Sequence, residues 1–277
     1  MTETRRTFVT TLVTGFTLAA GPLNAAAITT DTEGIEAGEV RIKVSDGSIP
    51  AYRARPKHRP HAPVILVVQE IFGVHEFIKD VCRRLAKQGY YAVAPALYAR
   101  YGDPAKYDMA HIEGLITDIV SKVPDSEVMG DLDATVAFAK TEGGDTAKLG
   151  ITGFCWGGRV VWLYAAHNPN VKAGVAWYGP LRGQTNALHP QSAIALAPSI
   201  HAPIIGNYGG KDLGIPIVDI VEMREALQKG GNTKSRIDVF EDSQHGFFAD
   251  YRPSYNEADA KTAWAHSLAW FAANGVK

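Results

Sequence analysis

The chain has 277 residues, 46% of them hydrophobic, a formal net charge of −1 and two cysteines. That is enough apolar material for a full core, and it excludes a chain too polar to fold. With so little net charge and no long run of one sign, there is no electrostatic footprint for nucleic acid or an anionic membrane; the partner to expect is a small molecule.

The first segment to set aside is residues 1–27. Thr4-Arg5-Arg6-Thr7-Phe8 is a twin-arginine pattern, followed by an apolar run over 9–20 and by Ala25-Ala26-Ala27, a small-residue cleavage site. The apolar run is too short, and too rich in Thr and Gly, to span a bilayer. We therefore expect a signal peptide cleaved near Ala27, passage through the Tat translocon, and a periplasmic or secreted product with no stable membrane anchor. Residues 28–277 then form a single α/β domain. Disulfides persist in an oxidising compartment, but Cys82 falls mid-helix beside Val81 and Leu85 and reads as a core residue that does not bridge to Cys155.

Runs 39–44 and 49–54 flank Ser45-Asp46-Gly47-Ser48, a hairpin signal that predicts an antiparallel sheet edge. The basic, Pro-containing loop 56–63 carries His58 and His61, which read as solvated loop histidines. Residues 64–69 form a continuous apolar run of the kind a strand covered on both faces needs, and it ends in Glu70 beside the Gly73 turn. A carboxylate there is either a loop ion-pair partner or part of a site. The period of Ile78, Val81, Cys82 and Leu85 predicts a helix over 76–88 closed by Gly89, and 90–95 is the next strand, parallel to the last by right-handed crossover. Two helices are expected over 103–123 and 125–140, divided at Pro124, with Asp125 or Ser126 as N-cap; His111 and Met109 on the first read as structural.

A strand over 147–152 leads into Gly153-Phe154-Cys155-Trp156-Gly157-Gly158 and a helix over 159–167. Strand, tight turn and helix around a G-x-nucleophile-x-G core are the pattern of a nucleophile elbow, with Cys155 at its centre. The helix start would direct unpaired N–H groups and the positive dipole end at the sulfur. The alternative is a small buried cysteine in a tight turn. Strand 171–178 follows, then a long connection over 181–199 that shapes a pocket, strand 202–208 delivering Asp212, helix 217–229, strand 235–241 delivering His245, and a closing helix 254–273. Asp250, Glu257 and Asp259 read as polar-face residues. Nucleophile, acid and histidine occur in the chain order of an α/β-hydrolase triad, at the strand ends where sites of open α/β sheets gather. The fold expected is a mostly parallel, doubly wound sheet with helices on both faces.

Four motifs together resemble the dienelactone hydrolase family: Gln69-Glu70-Ile71-Phe72-Gly73-Val74, the elbow at Gly153 to Gly158, Tyr208-Gly209-Gly210-Lys211-Asp212 with Ile215-Pro216, and His245-Gly246-Phe247 with Arg252-Pro253-Ser254-Tyr255. The resemblance implies an α/β-hydrolase fold and a hydrolase that opens an ester or lactone through a Cys155-His245-Asp212 triad, with no metal or organic cofactor. It implies that Glu70 holds the resting thiol protonated, that the amides of Ile71 and Trp156 form the oxyanion hole, and that Arg100 grips a substrate carboxylate. One departure weakens the last point. Family members acting on carboxylated dienelactones carry a second arginine a few residues after the histidine, where this chain has Ala249 and Asp250 and its nearest arginine is Arg252. A general carboxylesterase of the same fold, and a periplasmic thiol sensor or binding protein without turnover, are the alternatives; intact Asp212 and His245 speak against the second.

Overall fold

The structure is a computed structural model that describes residues 27–107, 109–183 and 185–277. The export signal expected over 1–27 lies outside the described residues except for Ala27. Eight strands form one sheet in the order β1-β2-β4-β3-β5-β6-β7-β8. Strands β1 (Ile35–Val44) and β2 (Gly47–Pro56) make the antiparallel hairpin, in register from Ile35 opposite Pro56 to Val44 opposite Gly47, and β2 joins β4 (Tyr91–Pro95) antiparallel as well. From β4 onward every pairing is parallel, through β3 (Pro63–Val68), β5 (Asp145–Phe154), β6 (Val171–Trp177), β7 (Ile204–Gly209) and β8 (Arg236–Phe240). All residues of β3, β4 and β7 are buried, which is why these strands read as unbroken apolar runs rather than alternating ones.

Helices cover both faces. Asn207 and Tyr208 are neighbours on β7 and so point to opposite sides of the sheet. Asn207 Nδ2 reaches Ser267 Oγ (3.3 Å) of α7 (Glu257–Ala273), while Tyr208 Oη accepts from Trp162 Nε1 (3.1 Å) of α4 (Trp156–His167). α1 (Glu76–Lys87) packs on β2 and β4; α3 (Asp125–Thr141), α4, the short α5 (Ala193–Leu196) and α6 (Ile217–Lys229) touch one another in sequence along one side. This is the α/β-hydrolase architecture, and it places the C-terminal ends of β3, β5, β6, β7 and β8 along one edge. The N-terminal strap is pinned to α1, where Thr30 N donates to Asp80 (2.6 Å) and Arg83 Nε donates to the Thr30 carbonyl (2.9 Å).

Three local expectations change. The span 103–123 is not one helix but α2 (Ile112–Asp118) among three 3₁₀ turns at Pro104–Lys106, Met109–His111 and Val120–Lys122. Asp103 caps the first turn through Ala105 N (3.0 Å), and Ile119, at φ −121° and ψ −69°, breaks the chain after α2. The N-cap of α3 is Pro124, without a side-chain cap, because the Asp125 carboxylate is drawn to Arg159 in a two-pronged contact (2.7 and 2.7 Å). Asn256 rather than Ser254 opens the closing helix, accepting from Asp259 N (3.3 Å). Cys82 and Cys155 are both free thiols and both buried, and burial pushes the Cys82 thiol far above its ordinary value.

Candidate active site

β5 ends at Phe154 and α4 begins at Trp156, so the whole turn is one residue long. Cys155 takes φ 55° and ψ −117°, a left-handed conformation that an L-residue adopts only when its surroundings over-determine it. Here backbone crowding does so. A Cβ at Gly153 would stand 2.2 Å from the Gly157 carbonyl oxygen, and one at Gly157 would stand 2.5 Å from that of Gln69; only glycine lets the elbow close on itself and on β3. Cys155 N donates to the Trp177 carbonyl (3.0 Å), tying the turn to β6. Trp156 is the first residue of α4, and the first amides of a helix have no partner within it.

His245 follows β8 on a short loop and Asp212 follows β7. Their side chains meet at 2.8 Å between Nδ1 and Oδ2, both buried, and Asp212 Oδ1 accepts from Gly214 N (2.8 Å). On its other side His245 lies near enough to Cys155 for the sulfur to act on the charge of the ring. Burial alone would discharge the imidazole; the carboxylate of Asp212 and the sulfur outweigh it and raise the ring to about 10, so the proton is held on the histidine. The three side chains thus come together at one sheet edge, from residues far apart in sequence.

Glu70 sits at the end of β3, with its backbone in a bridge to Gly73. Its carboxylate is fully buried but faces partners other than the sulfur: Arg252 Nη2 donates to Oε1 (2.9 Å), Tyr251 Oη to Oε2 (2.5 Å), and His75 Nε2 lies 3.3 Å from Oε2. Burial would raise the acid; Arg252 and His75 overcome it and hold it down at about 2. Arg252 is equally buried, and Glu70 keeps its guanidinium charged despite the loss of water. The arrangement expected from the resemblance, with Glu70 on the thiol, is therefore not the one seen. Ile71 follows directly and is itself buried.

The model of the "Dienelactone hydrolase family" matches residues 49–275. The chain belongs to the dienelactone hydrolase family. A relative from Methylorubrum extorquens named "Putative carboxymethylenebutenolidase" is 55% identical over 99% of this chain and 94% of its own. The crystal structure of a "Putative Dienelactone Hydrolase" from Klebsiella pneumoniae superposes with a TM-score of 0.83 at 50% identity, covering 86% of this chain and 98% of that one. A Bradyrhizobium protein named "Probable 2-oxo-3-(5-oxofuran-2-ylidene)propanoate lactonase" is 31% identical over 86% of this chain and 94% of its own. Family membership makes the chain a hydrolase of lactone or ester substrates.

Against that family pattern, Arg100 is placed differently from the expectation. Its guanidinium is taken up by protein carboxylates: Nε and Nη2 by Asp46 (2.8 and 2.6 Å), Nη1 and Nη2 by Asp131 (2.7 and 3.0 Å), and Nη1 also by Glu127 (3.4 Å). Asp46 belongs to the hairpin turn, which no local pattern around Arg100 could reveal. Asp250, expected on a polar face, is buried and paired with Arg84. Sequence reasoning also missed His75, Tyr251 and Tyr178 around the site. The motif His245 to Tyr255 contained the signal: successive turns, with Ala249 N on the Gly246 carbonyl (2.9 Å) and Arg252 N on that of Ala249 (2.9 Å), fold Tyr251 and Arg252 back onto Glu70. Among the described residues, no group of three or more His, Cys, Asp or Glu is placed to hold a metal ion.

Proposed function

We propose that the chain hydrolyses esters or lactones through an acyl-enzyme on Cys155. The carrying observation is an imidazole oriented by Asp212 at 2.8 Å and placed where the sulfur of a strained elbow acts on its charge. With the proton already held on His245, the sulfur attacks the carbonyl carbon; the displaced electron pair collects on the oxygen, held by the amides of Ile71 and Trp156. Collapse breaks the C–O bond, and the departing alkoxide takes the proton from His245. Water then gives a proton to His245 and attacks the thioester, the C–S bond breaks, and the sulfur is left beside the protonated ring. A thiolate also leaves easily, so activated esters and enol lactones suit this site better than amides.

Substitution of Cys155 by Ala should abolish hydrolysis of both an aryl ester and an enol lactone, and intact-mass spectrometry of the wild-type enzyme with a slow ester should record an acyl adduct on residue 155. Unchanged turnover in the alanine variant removes the reading. A second reading, a carboxylesterase acting on uncharged esters, is favoured by one observation: Arg100 and Arg252, the two guanidiniums that could meet a substrate carboxylate, are both neutralised by carboxylates of the protein itself. Paired substrates with and without a free carboxylate separate the two. Export by the Tat route, supported by Arg5-Arg6 and Ala25-Ala26-Ala27, is checked by N-terminal sequencing of the periplasmic fraction, where Ile28 is the expected first residue.

A further inference from the structure

Tyr178 is a buried side chain that the mechanism above does not use. It follows β6 directly, and its backbone lies at φ 37°, in the left-handed region. The flanking peptides fix it there. Tyr178 N donates to the Asn207 carbonyl on β7 (2.8 Å), and the Trp177 carbonyl accepts from the nucleophile's own amide (3.0 Å). Behind it the backbone of Gly179 packs so tightly on the start of α4 that a Cβ there would stand 2.2 Å from the Gly158 carbonyl carbon. A non-glycine residue in this conformation is costly and persists where the surroundings demand it; what it achieves is to aim one side chain.

The ring is turned edge-on to the imidazole of His245, with centroids 5.1 Å apart and planes at 63°, and it packs against Phe247 at 5.8 Å. The charged and polar groups that act on its hydroxyl are Glu70, Arg252, Tyr251 and Cys155. The hydroxyl itself is buried and, among the described residues, has no hydrogen-bond partner. Packing alone would be served by phenylalanine, because a buried hydroxyl without a partner disfavours the folded state. Burial, reinforced by the Glu70 carboxylate, holds the phenol proton well above its ordinary value, so the group remains a donor throughout the working range.

We propose that Tyr178 is a further catalytic residue whose hydroxyl donates a hydrogen bond to an oxygen of the scissile ester or lactone as it is attacked by Cys155. Its proton stays on the phenol throughout; no bond to Tyr178 forms or breaks. The proposal rests on the acyl-enzyme reading above. Its probes are a neutral aryl acetate and an uncharged enol lactone, with the full chain carrying Tyr178→Phe. We expect kcat/KM to fall roughly ten- to a hundredfold, mainly in kcat, the range of one hydrogen bond made in the transition state. The melting temperature is expected to hold or rise, and alkylation of Cys155 by iodoacetamide to keep its wild-type rate. A kcat/KM within about twofold of wild type, in an enzyme whose turnover Cys155→Ala abolishes, overturns the role of Tyr178 alone. A fall in alkylation that matches the fall in turnover overturns it too, since the side chain would then act by placing the nucleophile. Turnover that survives Cys155→Ala removes both readings together.

Discussion

Arg252 and Arg100 are each gripped by carboxylates, in different settings. Arg252 and Glu70 are sealed from water, with side chains 1% and 0% exposed, whereas Arg100 divides its guanidinium between the buried Asp131 and Asp46 on the hairpin turn, which is 58% exposed. Water screens the Asp46 contact and lets Asp46 be replaced at little cost. In the pair of Arg252 with Glu70, each ion is tolerable only because the other is there. Ion-pair lengths of 2.9 and 2.6 Å would suggest the reverse ranking, so burial and not distance decides which pair the site depends on.

The comparison predicts a graded set of outcomes. Within the buried region Cys155→Ala should lower turnover by about 10⁴-fold or more, the scale seen when a nucleophile is removed, with little change in melting temperature; steady-state assays and calorimetry check both. Glu70→Gln leaves the Arg252 cation buried without its counter-ion and should cost about 3–5 kcal/mol in denaturant unfolding. Loss of less than a third of that would break the contrast. Acid titration sharpens it. The Glu70 carboxyl titrates near 2 in the fold against 4.5 ordinarily, so its contribution is fully present above 4.5 and is lost as pH falls through about 2. The stability gap between wild type and Glu70→Gln should therefore be flat from neutrality to about 4.5 and shrink below it. His245 has the opposite sign: raised from 6.5 to about 10, it contributes fully below 6.5 and loses that contribution as pH rises through about 10. Arg100→Ala strips the buried Asp131 carboxylate of its counter-ion and should cost about 2–3 kcal/mol, and should change turnover of carboxylated and neutral substrates alike. A selective loss on the carboxylated member would restore the role that the family resemblance implies. Asp46→Ala should leave the unfolding midpoint unmoved.

What could be read in the chain beforehand follows the same division. The alternation of strands and helices, the hairpin and the elbow are written in local periodicity and turn residues, and the structure reproduces them with shifts of a few positions. Strand β5 runs from Asp145 rather than 147, and α7 from Glu257 rather than 254. Asp212 and His245 were legible because chain order and strand ends constrain where such residues stand. The surroundings of Glu70 were not, since its partner Arg252 is 182 positions away and nothing in a linear reading joins the two. Arg100 went astray for the same reason, with its hairpin partner 54 positions upstream. The span 103–123 failed differently: its apolar spacing suits a helix, but Pro104 and the turn at Ile119 divide it into pieces too short to sustain one.

The contacts that shape the elbow run from peptide to peptide, between Gly153 and Gly157, between Gly157 and the end of β3, and from the Cys155 amide to β6. None passes through the sulfur atom. Scaffold and reagent are consequently separable. An engineer could exchange sulfur for oxygen with Cys155→Ser and keep the bend, retuning which leaving groups the catalyst tolerates, whereas one added methyl group at position 153 or 157 would dislodge the turn whatever atom it presents.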